Sequence, residues 1–475
     1  MPFDLRTAIA SERGRNYELY AEHVNPQFAK VMRTIGFDRT YVRAAGQYLW
    51  DSEGHRVLDF LGGYAVCNVG RNHPTVRKAL EDVLALDVAS MVQFDAPLLA
   101  GMLAADLKRR IGRGLDYVYF ANSGTEGVEA AIKFAKCSTG KPAVLYCDKA
   151  FHGLTAGAVS LNGCESFRDG FGPFLPQCRR IPFDDLNALE RELRNGDVAA
   201  FVVEPIQGKG VNIPTRGYLA QAGRLCRRFG ARFVVDEVQT GVGRTGRFLA
   251  IDHETDVDPD VVVLSKALSG GYVPVGAVLV KGDVWRDVYS SMDRAIVHSS
   301  TFHEGALAMA AALASLAVYD DDRLDENATR LGERIRLGVE AMIPRFEFLK
   351  SVRQRGLMIG IEFAEPKSLL LRTAWKMVHA MDDNLFAQAV VMPLMEDHAI
   401  LCQVAGHNQA IVKLTPPLCI TDDDVAAFLN AFEEVMRRLH RFPGPAWDVL
   451  KRLGVNALTH RTRSADAEPA ASPAP

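Results

Sequence analysis

The 475-residue chain holds no apolar run near the roughly 18 residues of a membrane helix, so no span is expected. It also lacks a basic excess. A formal net charge of −3 excludes the broad positive surface that captures nucleic acid or anionic lipid, and any anion site must be local. The eight cysteines include no C-x-x-C pair, which argues against structural zinc. Several, such as Cys147 in AVLYC and Cys419 in PPLCI, sit in apolar segments and read as reduced thiols in a cytoplasmic setting. The opening MPFDLRTAIASERGRNYELY has no signal-peptide apolar core, and neither a nucleotide P-loop nor an internal repeat is present. What remains is an ordinary globular composition, 48% hydrophobic and 24% charged, long enough for more than one core.

From about Asp116 to Val280, short β-rich runs (YVYFA, AVLYC, AAFVVE, RFVVDE, VVVLS, VGAVLV) alternate with helical patterns. Near-continuous apolar strands alternating with helices predict a mainly parallel sheet covered on both faces. One helix, YLAQAGRLCRRFG, is stopped by Gly230. A long helix starts near Glu304. Beyond it VRQRGLMIGIEF, a long helix around 368–390, IVKLTPPLCI and TDDDVAAFLNAFEEVMRRLH predict a smaller α+β domain. The Pro/Ala/Ser-rich tail from about Arg463 is expected to be disordered.

The stretch VVDEVQTGVGRTG, 234–246, contains two competing sites. Its tail spells the G-x-G-x-x-G of a dinucleotide turn, which should follow a strand directly and open a helix. Here a gap separates strand from glycines, and RTGRFLAIDHETDVDPD has no helical period, although Asp256, Asp258 and Asp260 fall where an acid belongs. A glycine-rich loop is the better reading. Its head puts Asp236 at the end of a buried strand, and the next strand runs into Lys266. In an open parallel sheet both arrive at the carboxyl edge, where ligands bind. To the same edge FANSGTEGVEAAIKFAK brings Ser123, Gly124 and Thr125 at a helix N-terminus, an anion site or a plain N-cap. A phosphate site, a lysine and a buried acid are what pyridoxal phosphate requires.

With those residues in place, the chain resembles the class III pyridoxal-phosphate-dependent aminotransferases, the family of ornithine, acetylornithine and ω-amino-acid transaminases. The resemblance runs from about Tyr48 to Leu439 through YLWDSEGHRVLDF, GRNHP, FANSGTEGVEAAIKFAK, AFHG, VVEPIQG, VVDEVQTGVGRTG, LSKALSGG, STF and PPL. It implies an α/β, fold type I pyridoxal-phosphate enzyme, with a mainly parallel large domain and a smaller α+β C-terminal domain. The division expected is an N-terminal segment 1–47, a large coenzyme-binding domain 48–315, a small domain 316–445 and a tail 446–475. The resemblance also implies roles. Lys266 would be the Schiff-base lysine and Asp236 the partner of the pyridine nitrogen. Ser123, Gly124 and Thr125 would cradle the phosphate, Phe151 would stack on the ring beside His152, and Gln239 would lie near the phenolic oxygen. Thr301 would reach the neighbouring subunit's phosphate, making a homodimer with shared active sites, and Glu204 would stand in the site wall. The TGVGRTG run is similar to a family loop that binds no dinucleotide.

Three departures bear on substrate. Ornithine-type members read QGE where this chain has Gly208-Lys209, carry an arginine where it has Lys413, and often read TFGGNP where it has TFHEGA, with His303 and Glu304. The first two replace a glutamate–arginine switch that admits both a side-chain amine and a 2-oxoacid. The two-bond grip of arginine on a carboxylate is thereby missing. Lys209 and Lys413 are substrate candidates, with solvent-reaching side chains as the alternative. The expectation is amino transfer from ω-amino acids or longer apolar amines to a small 2-oxoacid, in preference to ornithine or acetylornithine. A mutase, racemase or decarboxylase of the same fold, or a non-catalytic binding protein on this scaffold, are the rivals.

Overall fold

A computed structural model describes residues 3–92, 94–381, 385–406 and 409–441. The tail expected to be disordered lies outside the described residues. The central sheet has seven strands. In spatial order they are Leu115–Ala121, Gly276–Lys281, Val261–Leu264, Arg232–Asp236, Val198–Val203, Ala143–Cys147 and Cys178–Ile181. Gly276–Lys281 is antiparallel to both its neighbours, and the remaining pairings are parallel. Thus VGAVLV, read among the parallel runs, is the one reversed strand. A continuous apolar run reports burial on both faces but not direction.

Alternation along each strand feeds two cores. Leu145, Phe201, Phe233 and Val235 pack on one face with Leu103, Leu107 and Leu219 from the helices Leu98–Ile111 and Tyr218–Arg228. Val144, Ala200, Val202 and Val234 pack on the other with Val128, Ala131 and Phe134 from Gly124–Thr139. The smaller domain is an antiparallel sheet, Leu349–Arg355, Met358–Phe363, Ile411–Leu414 and Gln403–Val404, covered by helices that include Leu324–Glu340 and Asp422–Leu439. Over the long helix expected around 368–390, the described residues form helices Leu369–Met381 and Leu385–Glu396, and 382–384 lie outside the described residues.

The loop from Gly241 to Gly246 opens no helix. Gly243 and Gly246 have φ of +85° and +82°, and the chain then enters a short 3-10 turn, Ala250–His253. The loop instead delivers Arg244 into the junction between the domains, fully buried. Its Nη1 donates to the carbonyls of Leu357 (3.0 Å) and Pro416 (2.6 Å), and Nη2 donates to Asn68 Oδ1. Leu357 N–H donates back to the Arg244 carbonyl at 3.0 Å. A buried guanidinium committed to three acceptors should be expensive to remove. Arg244→Leu is expected to lower unfolding free energy by about 3 kcal/mol or more in urea titrations. A loss below about 1 kcal/mol would show that the junction holds without it.

Candidate active site

The carboxyl ends of the parallel strands open into a cleft of about 560 Å³ closed on its far side by Gln403, Val404, Ala405 and Lys413 of the smaller domain. Gly124, Thr125, Phe151, His152, Glu204, Lys209, Asp236, Gln239 and Lys266 line the rest, together with Tyr64, Leu154, Phe167 and Val238. Two candidates stand apart. The Ser123 side chain caps its helix, accepting from Glu126 N–H at 3.3 Å, and Thr301 is exposed in a turn outside this cleft.

Lys266 follows the strand Val261–Leu264 in a one-turn 3-10 helix, with φ of +43°. A left-handed lysine costs about 1–2 kcal/mol, so the surrounding packing imposes this backbone. Its amine makes no hydrogen bond or ion pair among the described residues, and burial lowers its pKa. Asp236 is 4% exposed; one carboxylate oxygen accepts Val238 N–H at 3.0 Å and the other lies 2.7 Å from His152 Nδ1. Burial opposes protonation of His152, but the bond to Asp236 and its charge outweigh this and raise the pKa. His152 is itself fixed by Asn162 Oδ1, which accepts its backbone N–H at 2.9 Å.

At the helix N-terminus, the Gly124 and Thr125 N–H groups precede the first intrahelical bond, leaving them available to an anion. A Cβ on Gly124 would lie 2.8 Å from Val238, so only glycine lets the helix end approach that closely. Thr125 Oγ1 is 2.7 Å from Thr155 Oγ1, which donates to Glu129 at 2.6 Å. Thr155 and Glu129 were not legible in the sequence, where nothing linked them to Thr125. Glu204 accepts the N–H groups of Phe151 (3.0 Å) and Gly208 (2.7 Å), and burial raises its pKa. Phe151 meets Phe167 edge-on at 5.2 Å.

The two lysines depart from the simple solvent-reaching alternative. Lys413 is 4% exposed and donates to Gly208 O at 2.7 Å and Gln239 Oε1 at 2.8 Å. Burial, reinforced by Lys266 and Lys209, pushes its pKa down to about 7. Lys209 is half-buried, its ammonium over the rings of Phe167 and Phe151. His303 pairs with Glu304 at 3.4 Å and stacks on Tyr119, outside the cleft.

A family model described as aminotransferase class-III matches residues 32–436. The aminotransferase PigE of a Serratia species is 34% identical over 468 residues; they cover 91% of this chain, which spans only 55% of that protein. The ornithine aminotransferase of Toxoplasma gondii ME49 superposes with a TM-score of 0.78 at 29% identity, covering 93% of this chain and 99% of that one. Another crystal structure of the Toxoplasma gondii enzyme, at TM-score 0.77 and 29% identity over 93% and 100% of the two chains, is described as having partial PLP occupancy at its active site. Acetylornithine aminotransferase from Elizabethkingia anophelis gives 0.68 at 30% identity over 87% and 98%.

The depressed pKa of Lys413 makes a pH prediction. Between about 7 and the ordinary lysine value of 10.5, the unfolded chain holds this proton and the folded chain does not. Stability therefore rises with pH across that window and is lost as pH falls toward 7. Wild type should gain stability relative to Lys413→Met between about pH 7.5 and 9, with a slope approaching about 1.4 kcal/mol per unit. A difference flat across that window would mean that Lys413 keeps its charge in the folded protein.

Proposed function

The chain belongs to the class III aminotransferases, and from that membership we propose that it moves an amino group from an amine or ω-amino acid to a 2-oxoacid. The observation that carries this reading is an unpaired lysine amine, Lys266, in one cleft with a buried carboxylate, Asp236, and a free helix N-terminus.

The family's coenzyme, pyridoxal 5'-phosphate, fits these residues. The Gly124 and Thr125 N–H groups would hold its phosphate, Asp236 its ring nitrogen, Phe151 its ring face and Lys266 its aldehyde carbon. Bound there, it supplies an electron sink for the pair left on the substrate carbon when a proton departs. The chain supplies the rest. The amine of Lys266, its basicity reduced by burial, can take the proton from the amine-bearing carbon and return it one position away, a base and then an acid. Val238 N–H and His152 hold the Asp236 carboxyl in a fixed orientation deep in the cleft. Glu204, held by two backbone N–H groups, keeps Phe151 and Gly208 in place.

The outward-facing Thr301 and exposed apolar residues such as Leu86, Val92 and Phe94 support a homodimer whose sites are completed across the interface. Free cysteines support a cytoplasmic setting. Two packed sheets support a large domain 48–315 and a small domain 316–445, although Leu58, Phe60, Val69 and Val76 pack in the core of the smaller domain and Arg56–Asp59 pairs with Ile400–Leu401.

Lys266→Ala should abolish the long-wavelength absorbance of the bound coenzyme and cut turnover by at least about a thousandfold while leaving the fold intact. Turnover retained in that variant would sink the mechanism. Wild-type conversion of the coenzyme by an amine donor alone, one equivalent per site, separates amino transfer from racemase, mutase or decarboxylase chemistry.

Asp236→Asn should retain coenzyme and fold but slow the single-turnover donor step more than tenfold, a barrier increase above about 1.4 kcal/mol. An amide carries no charge to hold a ring proton. A smaller loss would assign that task to another group.

A further inference from the structure

The three lysines of the cleft differ in what already engages them. Lys266 is the reacting amine of the reading above, on which this inference rests. Lys413 is engaged twice over, by Gly208 O and Gln239 Oε1. A neutral amine has two N–H bonds, the number of acceptors it meets.

Lys209 is the exception. Its Nζ sits 4.6 Å from the Phe167 ring centroid and 5.4 Å from that of Phe151, and meets no carboxylate or hydrogen-bond acceptor among the described residues. Aromatic faces steady an ammonium without using its N–H bonds, so those bonds remain for a ligand. Its stem runs against Gly406, where a Cβ would stand 3.3 Å from Lys209 Cδ. Burial holds the amine below the ordinary lysine range, which means that much of its water is already gone.

In the same cleft a second donor is unmet. Gln403 faces Lys413 in the register of the smaller sheet, so both side chains leave the same face. Gln403 Nε2 is shielded from solvent and has no partner among the described residues. A buried amide donor left open is costly unless a ligand fills it. Leu154, Val404 and Ala405 add apolar lining to the same cleft.

We propose that Lys209 and Gln403 together bind the far-end carboxylate of the donor, an ω-amino acid whose methylenes lie along Leu154, Val404 and Ala405. Lys413 shapes the cleft through Gly208 and Gln239 and does not hold that carboxylate.

The test is calorimetric and needs no turnover. Pentanoate and the uncharged pentanamide are titrated into the holoenzyme and its variants. Wild type should bind pentanoate at least about tenfold more tightly than pentanamide, and Lys209→Met should erase about tenfold or more of that preference. Gln403→Leu should lose part of it, and Lys209→Arg should keep it. Pentanoate affinity unchanged within about twofold in Lys209→Met overturns the proposal. So does a loss confined to Lys413→Met, which would assign the anchor to Lys413. Turnover separates the two readings. Carboxylate binding in the expected pattern with no amine converted refutes aminotransfer alone. Amine conversion in which Lys209→Met keeps the wild-type preference for 5-aminopentanoate over pentylamine refutes the anchor alone.

Discussion

A buried guanidinium ties the two walls of the cleft to a common junction. Arg244 leaves the loop that follows the Asp236 strand and ties three separate pieces of chain, at Asn68, Leu357 and Pro416. The wall formed by Gln403, Val404, Ala405 and Lys413 belongs to the smaller sheet, whose hairpin carries Leu357. This junction, together with the Lys413 bonds to Gly208 O and Gln239 Oε1, therefore sets the distances across the cleft. Asn68 reinforces it by donating to the Val242 carbonyl at 2.7 Å, which fixes the loop from the other side. The stretch that resembles a dinucleotide turn thus does two jobs: the head places a carboxylate under the cleft, and the tail sets the spacing of its walls.

Given that frame, the charge in the cleft is sorted by what surrounds each group. Asp236 is held by a backbone N–H and a histidine, whereas burial shifts Glu204 upward despite its two backbone N–H groups. Glu237, the next residue in sequence to Asp236, faces the opposite way into the core. Burial pushes its pKa up to about 7, and Ile251 N–H bonds it at 2.9 Å. Adjacent carboxylates on one strand point to opposite faces. One therefore serves the site and the other serves the core.

The sheet, the edge on which ligands bind and the Asp236–Lys266 pair were legible because each depends on local pattern: apolar runs, strand ends, a capped helix. The reversal of Gly276–Lys281 was not, since direction is set by the connection and not by composition. Nor were the Thr155–Glu129 support beneath Thr125 or the unmet amide of Gln403. Both arise from segments distant in sequence meeting in space. Thr301 could be assigned only through resemblance, and within one chain it lies outside the cleft.

Lys413 shows how far a substitution that preserves charge can alter a site. An arginine at that position would present five donors in a rigid fork and would stay protonated at any ordinary pH. It could serve the Gly208 and Gln239 oxygens and still offer a pair of bonds to an incoming carboxylate. Lysine offers a single nitrogen, and here two of its bonds already end on carbonyl oxygens. Two other lysines nearby and the loss of water make its neutral form accessible near pH 7. Burial thus lowers the charge of this lysine near neutral pH without a built-in glutamate. The position next to Gly208, where relatives place that glutamate, can then carry a cation of its own. A Cβ on Gly208 would stand 2.4 Å from Gln239 Oε1, so a larger residue there would have to displace that side chain. The two replacements are therefore coupled through one glycine: Lys413 holds the carbonyl of Gly208 in place, and Lys209 stands on the next residue with its amine over the rings of Phe167 and Phe151.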